Sequence, residues 1–223
     1  MKRPVFNTES YIKMYIAIEG IKGTGKSTLI EALTVKLKNN GIDFQCFAPT
    51  KPMPKESWWE RAYRDFSLDD MYIESLYTAR ANYHASQIDF DGTLILGDRS
   101  ILTSCVTRWP QDDMNHLLPY LQQIRQKQFL VPLPDLVLYL DLPVEVTLAR
   151  FAQRERHYGL LDEKAERLQQ AKQAYSTLLH HKDQLGFGNM QHQLIDANQE
   201  PKDLLENVYA LVVKNLEKCE LFQ

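Results

Sequence analysis

The chain has 223 residues, enough for one α/β domain with a sizeable core, or for one domain carrying a small insertion. With 44% hydrophobic and 25% charged residues its composition is that of an ordinary globular protein. A formal net charge of -3 supplies no global basic field, which argues against nucleic acid as a partner, and no apolar run is long enough to span a bilayer.

Met1 to Lys13 carries lysine and arginine but lacks the apolar centre of a signal peptide, so residues 1–13 read as an N-terminal extension. Residues 14–223 read as a single domain. Cys46, Cys105 and Cys219 are odd in number and widely spaced, the usage of reduced thiols in a cytoplasmic protein. The histidines form no H-E-x-x-H or comparable cluster, and a transition-metal site is not expected.

Met14 to Glu19 is nearly continuously apolar, as a parallel strand covered on both faces should be. It runs into Gly20-Ile21-Lys22-Gly23-Thr24-Gly25-Lys26-Ser27, the G-x-x-x-x-G-K-[ST] pattern of a phosphate-binding loop. Gly20, Gly23 and Gly25 let the backbone turn its N–H groups inward as an anion nest at the positive end of the following helix. Thr24 belongs to the same cradle. Lys26 is placed to reach the β- and γ-phosphates, and the Ser27 hydroxyl to ligate Mg²⁺. Thr28 should begin the helix proper and touch an α-phosphate.

That helix is expected from Ser27 to about Asn40, with Leu29, Leu33, Val35 and Leu37 on or near its buried side. Asp43 to Phe47 is a second strand. Ala48 to Lys55, with Pro49, Pro52 and Pro54, is a loop at a strand end. Two helical stretches follow, about 56–66 and 68–88, rich in aromatic residues. In the second, Tyr77, Arg80 and His84 share one face, an arrangement suited equally to core packing and to a nucleotide's phosphate and base. Thr93 to Asp98 is a third strand ending in an acid, followed by Arg99. At the carboxyl end of a parallel sheet Asp98 is placed to act on Mg²⁺ or an acceptor, and Arg99 to hold a phosphate.

Asp112 to Gln128 reads as a helix interrupted near Pro119, and Asp135 to Asp141 as a fourth strand. Pro143 opens a helix carrying Arg150 and Arg154, followed by Arg156 and Gly159. This cationic cluster, about 150–161, reads as a short lid over a triphosphate, with a solvated helix end as the plain alternative. A helix from Asp162 to Leu185, a fifth strand from His192 to Asp196 and a closing helix from Pro201 to about Cys219 complete the chain. Alternating strands and helices predict a five-stranded parallel sheet flanked by helices.

With these residues in view the chain resembles the thymidylate kinases, within the P-loop nucleoside and nucleotide kinases, from about Tyr15 to Leu216. The marks are Ile18-Glu19-Gly20 with Gly25-Lys26-Ser27-Thr28, Asp98-Arg99 with Thr103-Ser104, Tyr139-Leu140-Asp141 with Pro143, and Ile195-Asp196-Ala197. The resemblance implies ATP and Mg²⁺ as cofactors and dTMP as acceptor, with dTDP the product. It implies that Arg99 grips the acceptor phosphate and that Arg80, with Tyr77 beside it, lies near thymine and phosphate. Ser104 falls where the family touches the base, and Pro49 matches the proline after its second strand. Members of the family are commonly homodimers packed through helices beside the sheet.

The chain departs from the family pattern at three places. Lys22 stands where an acid is usual, Phe47-Ala48 where an arginine and a glutamate precede the proline, and Thr107-Arg108 where Tyr-Gln is usual. Asp98-Arg99-Ser100 with Thr103 also resembles the Glu-Arg-Ser segment of deoxynucleoside kinases, in which an acid serves as base for a 5′-hydroxyl. A monophosphate oxygen is already ionised and needs cations instead. Arg80, Arg99 and Arg108, with Lys22, give a density of positive charge that favours the monophosphate. A nucleotide-binding module without catalysis is the reading from another class, kept open by Lys22.

Overall fold

The computed structural model describes residues 13–54, 70–107, 109–110, 114–153 and 163–220, with side chains omitted at 70–73, 114–115 and 220. Strand β1, Met14–Glu19, is fully buried along its length. Its side chains alternate between two apolar layers, as a pleated strand requires: Tyr15 and Ala17 enter one, Ile16 and Ile18 the other. This explains its continuous apolar sequence.

Helix α1, Lys26–Asn39, and strand β2, Phe44–Phe47, follow. Next come helix α2, Asp70–Ala85, strand β3, Leu94–Asp98, helix α3, Ile101–Thr107, and helix α4, Met114–Lys127. Strand β4, Leu136–Asp141, leads to helix α5, Val144–Ala152, and helix α6, Ala165–His180. Strand β5, Gln191–Asp196, and helix α7, Pro201–Glu220, close the chain. The five strands form one sheet in the order β2-β3-β1-β4-β5, with every pairing parallel. One face is covered by α1 and α7, whose Leu29, Leu33, Leu37 and Leu204, Val208, Val212, Leu216 repeat every four residues toward Ile16, Ile18 and Leu138. The other carries α3, α4 and α6 over Tyr15, Ala17, Val137 and Tyr139.

Central β1 lies between β3 and β4, so the loop at its carboxyl end opens between the ends of both neighbours. The register sets Ile18 beside Asp98 and Glu19 beside Tyr139. Arg99 extends the ladder by donating its backbone N–H to Ile18 O at 3.1 Å. The expected fold class is therefore observed, with β1 at its expected bounds and the other four strands differing by one residue at their starts.

Several local expectations are corrected. Val35 is 56% exposed, because it lies across α1 from the buried Leu29–Leu33–Leu37 row, and Ile30 takes the buried place instead. Helix α4 runs through Pro119 without a break. The ring there displaces only the bond to Asn115, the helix's second residue, where loss of one link is tolerated. Helix α6 stops at His180 rather than Leu185, and Pro143 caps α5 instead of entering it. Helix α3 was not anticipated, since Ser100 to Thr107 is short and carries no helical period. The stretch 56–66, the N-terminal extension to residue 12, and lid residues 154–161 lie outside the described residues. Among the described residues no helix is long and apolar enough to cross a membrane.

Candidate active site

The loop between β1 and α1 takes the strained backbone that its glycines allow. Gly20, Gly23 and Gly25 have φ of 146°, 89° and 93°. At Gly23 a Cβ would stand 2.7 Å from Phe151 Cε1 and 2.7 Å from Thr147 Cγ2, both on α5. Gly23→Ala is thus expected to push the loop off α5 and to carry about 1–2 kcal/mol of left-handed strain besides. A melt should register the lost stability, and titration with a non-hydrolysable ATP analogue an affinity at least roughly tenfold weaker.

Lys26 is 5% exposed and sits inside the loop it ends. Its Nζ donates to Gly20 O at 2.9 Å, Ile21 O at 2.7 Å and Thr24 Oγ1 at 3.1 Å, which uses all three ammonium donors. Burial, reinforced by the nearby Arg99 guanidinium, pulls its pKa well below the ordinary lysine value, while Glu19 and Asp98 pull it back up. Thr24 is buried, and Thr28 is the third residue of α1 rather than the first. Ser27 and Thr28 are exposed in the first turn, facing away from the core.

Arg150 of α5 spans two loops. Its Nη1 donates to Thr24 O and its Nη2 to Ala197 O, each at 3.4 Å. The guanidinium thus joins the phosphate loop to the segment after β5. Arg99 follows β3 with φ of 76°, and among the described residues it is the one non-glycine residue with positive φ. Its Nη1 donates to Thr103 Oγ1 at 3.1 Å and approaches Gly20 O at 3.5 Å. The Asp98 side chain is 14% exposed, with Lys51 Nζ at 4.0 Å.

Arg80 of α2 is 6% exposed; its Nη1 donates to Thr50 O at 3.4 Å, and its guanidinium lies 5.3 Å from the Tyr77 ring centre. His84 Nε2 meets Lys51 O at 3.0 Å. The shared helical face thus docks on the loop after β2, beside the buried Pro49. Tyr77 and Ser104 line a cavity of about 20 Å³ between α2, α3 and α4, with Thr103, Thr107 and Gln128. Gln128 Nε2 donates to Ser104 Oγ at 2.9 Å, while its buried Oε1 has no partner among the described residues. Arg108, Arg154 and Arg156 lie outside the described residues.

Two features escape a reading of motifs. Lys22, anomalous in the loop, is paired with Glu163 at 3.1 Å, so its charge meets a carboxylate just ahead of α6. Glu19 is 0% exposed and accepts from Ser100 N, Ser100 Oγ, Thr103 Oγ1 and Tyr175 OH at 2.7–2.9 Å. The available signal was an acid ending an otherwise apolar buried strand, which requires partners elsewhere in the fold. Burial and the Glu19 carboxylate together hold the Tyr175 phenol well above its ordinary pKa, hence protonated and donating.

The family model described as thymidylate kinase matches residues 18–208. A probable thymidylate kinase of Methanobrevibacter smithii is 28% identical over 193 residues, covering 83% of this chain and 86% of that protein. A probable thymidylate kinase 1 of Saccharolobus solfataricus is 28% identical, covering 90% and 97% respectively. The thymidylate kinase of Acinetobacter baylyi is 26% identical, covering 89% of this chain and 100% of that protein. With one parallel sheet, a lysine-filled glycine loop and a family match over most of its length, the chain belongs to the thymidylate kinase family.

Proposed function

We propose that this protein transfers the γ-phosphoryl group of ATP to dTMP, giving ADP and dTDP. The observation that carries the reading is the convergence of two cations on one carbonyl. Gly20 O receives Lys26 Nζ at 2.9 Å from the loop and lies 3.5 Å from Arg99 Nη1, which arrives from β3. A donor tail held by the loop and an acceptor phosphate held by Arg99 would then meet across Gly20.

In this arrangement a dTMP phosphate oxygen attacks the γ-phosphorus while the bond to the β–γ bridging oxygen breaks, and ADP carries off the electron pair. The attacking oxygen is already ionised, so no general base is required and the protein's task is to neutralise and align charge. Lys26 and the loop N–H groups hold the ATP tail, Arg99 and Arg80 the acceptor, and Arg150, Arg154 and Arg156 act on the transferred group. Arg108 adds positive charge on the acceptor side, and Tyr77 and Ser104 face the base. Pro49 shapes the loop on which Arg80 docks.

Ser27 and Asp98 offer a hydroxyl and a carboxylate, the oxygen donors Mg²⁺ selects, and Lys51 lies too far from Asp98 to lock it in a tight ion pair. These residues would hold Mg²⁺, which when bound neutralises charge on the donor phosphates. Support for dTMP comes from the names of the relatives and from the cationic acceptor side.

A coupled ADP-release assay against dTMP, thymidine, dUMP and dCMP tests the assignment. ADP release is expected to depend on dTMP. Release with thymidine alone would make Asp98 a base for a 5′-hydroxyl, and no acceptor-dependent release would leave a nucleotide-binding module.

A further inference from the structure

We infer that Glu19 is the positioning residue for Arg99, acting through Ser100 and Thr103; this rests on the phosphoryl-transfer reading above. Two features of Arg99 need an external hold. Its backbone is left-handed with φ of 76°, a conformation that a side chain disfavours. Its guanidinium must also meet an anion at one fixed angle.

Glu19 addresses both with its two oxygens. On the backbone side, Arg99 N donates to Ile18 O at 3.1 Å, and the next amide, Ser100 N, donates to Glu19 Oε1 at 2.7 Å. The strained residue is therefore clamped before and after by consecutive residues of β1. On the side-chain side, Arg99 Nη1 donates to Thr103 Oγ1 at 3.1 Å, and Thr103 Oγ1 donates to Glu19 Oε2 at 2.9 Å. A threonine hydroxyl has one proton. Because a guanidinium only donates, the hydroxyl accepts from Arg99 and passes its proton toward Glu19, directly or through the Tyr175 oxygen 3.0 Å away, so the chain runs in one direction and each bond polarises the next.

The hydroxyl also acts as a spacer. A direct Arg99–Glu19 ion pair would cancel the charge an acceptor phosphate requires, and among the described residues Arg99 makes no such pair. Glu19 instead directs its oxygens to Ser100, Thr103 and the Tyr175 hydroxyl of α6, at 2.8 Å. With four donors at 2.7–2.9 Å the buried carboxylate is satisfied without touching the guanidinium. Arg99 is aimed but not neutralised.

The test is steady-state kinetics of Thr103→Val, which keeps the shape and removes the hydroxyl, beside Thr103→Ser, which returns it. Thr103→Val is expected to raise KM for dTMP about tenfold, the effect of one charge-assisted hydrogen bond, with KM for ATP within about twofold of the unaltered chain. Thr103→Ser should recover most of that loss. A purely structural role would move both KM values together, and that outcome overturns the inference, as does an unchanged KM for dTMP or a serine variant as impaired as the valine one. Should Thr103→Val fail to fold, Thr103→Ala, which also removes the hydroxyl and leaves Glu19 in place, must show the same acceptor-selective split; parallel losses there overturn the inference too. No dTMP turnover in the unaltered chain defeats the proposed function itself. Normal turnover with no split defeats only the role given to Glu19.

Discussion

Lys26→Ala is expected to abolish turnover with dTMP while the chain remains folded. The ammonium is at once the most buried cation of the loop and the group nearest the donor tail in the proposed reaction. Its three hydrogen bonds, to Gly20 O, Ile21 O and Thr24 Oγ1, are loop contacts that an anionic triphosphate would draw upon. Removing a preorganised donor from a transition state costs about 10²–10³ in kcat, and a full charge in a water-poor site belongs at or above the upper end. The sign of the pKa shift gives an independent readout. In the free protein Lys26 titrates well below its unfolded value, chiefly because it is buried. Its penalty on folding is therefore felt in full below the folded pKa and fades as pH climbs toward the unfolded value near 10.5. Lys26→Met, which keeps the volume, should thus compare best with the unaltered chain below the folded pKa and lose ground as pH climbs above it. A bound triphosphate favours the charged form, so ATP binding should take up protons in the window between the free and bound pKa values. Calorimetry in buffers of differing ionisation enthalpy should detect that uptake, and the methionine variant should lack it. Near-normal turnover in Lys26→Ala would end the kinase assignment.

How far the sequence revealed this site depends on the range of the interaction that makes each part. The glycine loop is local: spacing, backbone freedom and the adjacent strand and helix are all contained in Met14 to Thr28, so its geometry was readable from those residues. The sheet was readable because β1 and β4 are apolar on both faces, a pattern that only a doubly covered parallel strand requires. Val35 was misplaced because α1 has so many apolar residues that its period is ambiguous; the Leu29–Leu33–Leu37 row that packs under the sheet is settled by α7, which lies far away in sequence. Helix α3 was missed because it is a seven-residue helix held by Glu19 and by packing rather than by its own propensity. Glu19 was quoted as part of a motif but given no task. Its partners come from positions 100, 103 and 175, and nothing local announces them. The same holds for Lys22: as a lone letter it is an anomaly in a phosphate loop, whereas in space it answers Glu163. Short-range chemistry was thus legible and long-range satisfaction of buried charge was not.

Arg99 carries the second large effect, and its left-handed backbone makes the expected result unusual. Nη1 holds both hydrogen bonds of the guanidinium among the described residues, which leaves the Nη2 and Nε edge to meet an acceptor phosphate in the two-pronged manner of arginine. Arg99→Met removes that fork and should raise KM for dTMP on the order of 10²-fold, the effect of two charge-assisted hydrogen bonds, with a much smaller change for ATP. Arg99→Lys keeps the charge but presents a point donor, and should recover only part of the loss. Arg99→Gly separates function from folding. Glycine loses the guanidinium entirely, yet it occupies φ of 76° without the roughly 1–2 kcal/mol that a side chain incurs there. It loses about 0.5–1 kcal/mol in the unfolded chain's greater freedom, so the two terms nearly offset. Arg99→Gly should therefore melt close to the unaltered chain, and not below Arg99→Met, while being at least as defective toward dTMP. A glycine variant markedly less stable than the methionine one would mean that the backbone is not strained at this position. A methionine variant with normal KM for dTMP would place the acceptor phosphate elsewhere in the cleft. The strain is tolerated because Ile18 and Glu19 clamp both neighbouring amides, and the same clamp presents the fork to the mouth of the phosphate loop.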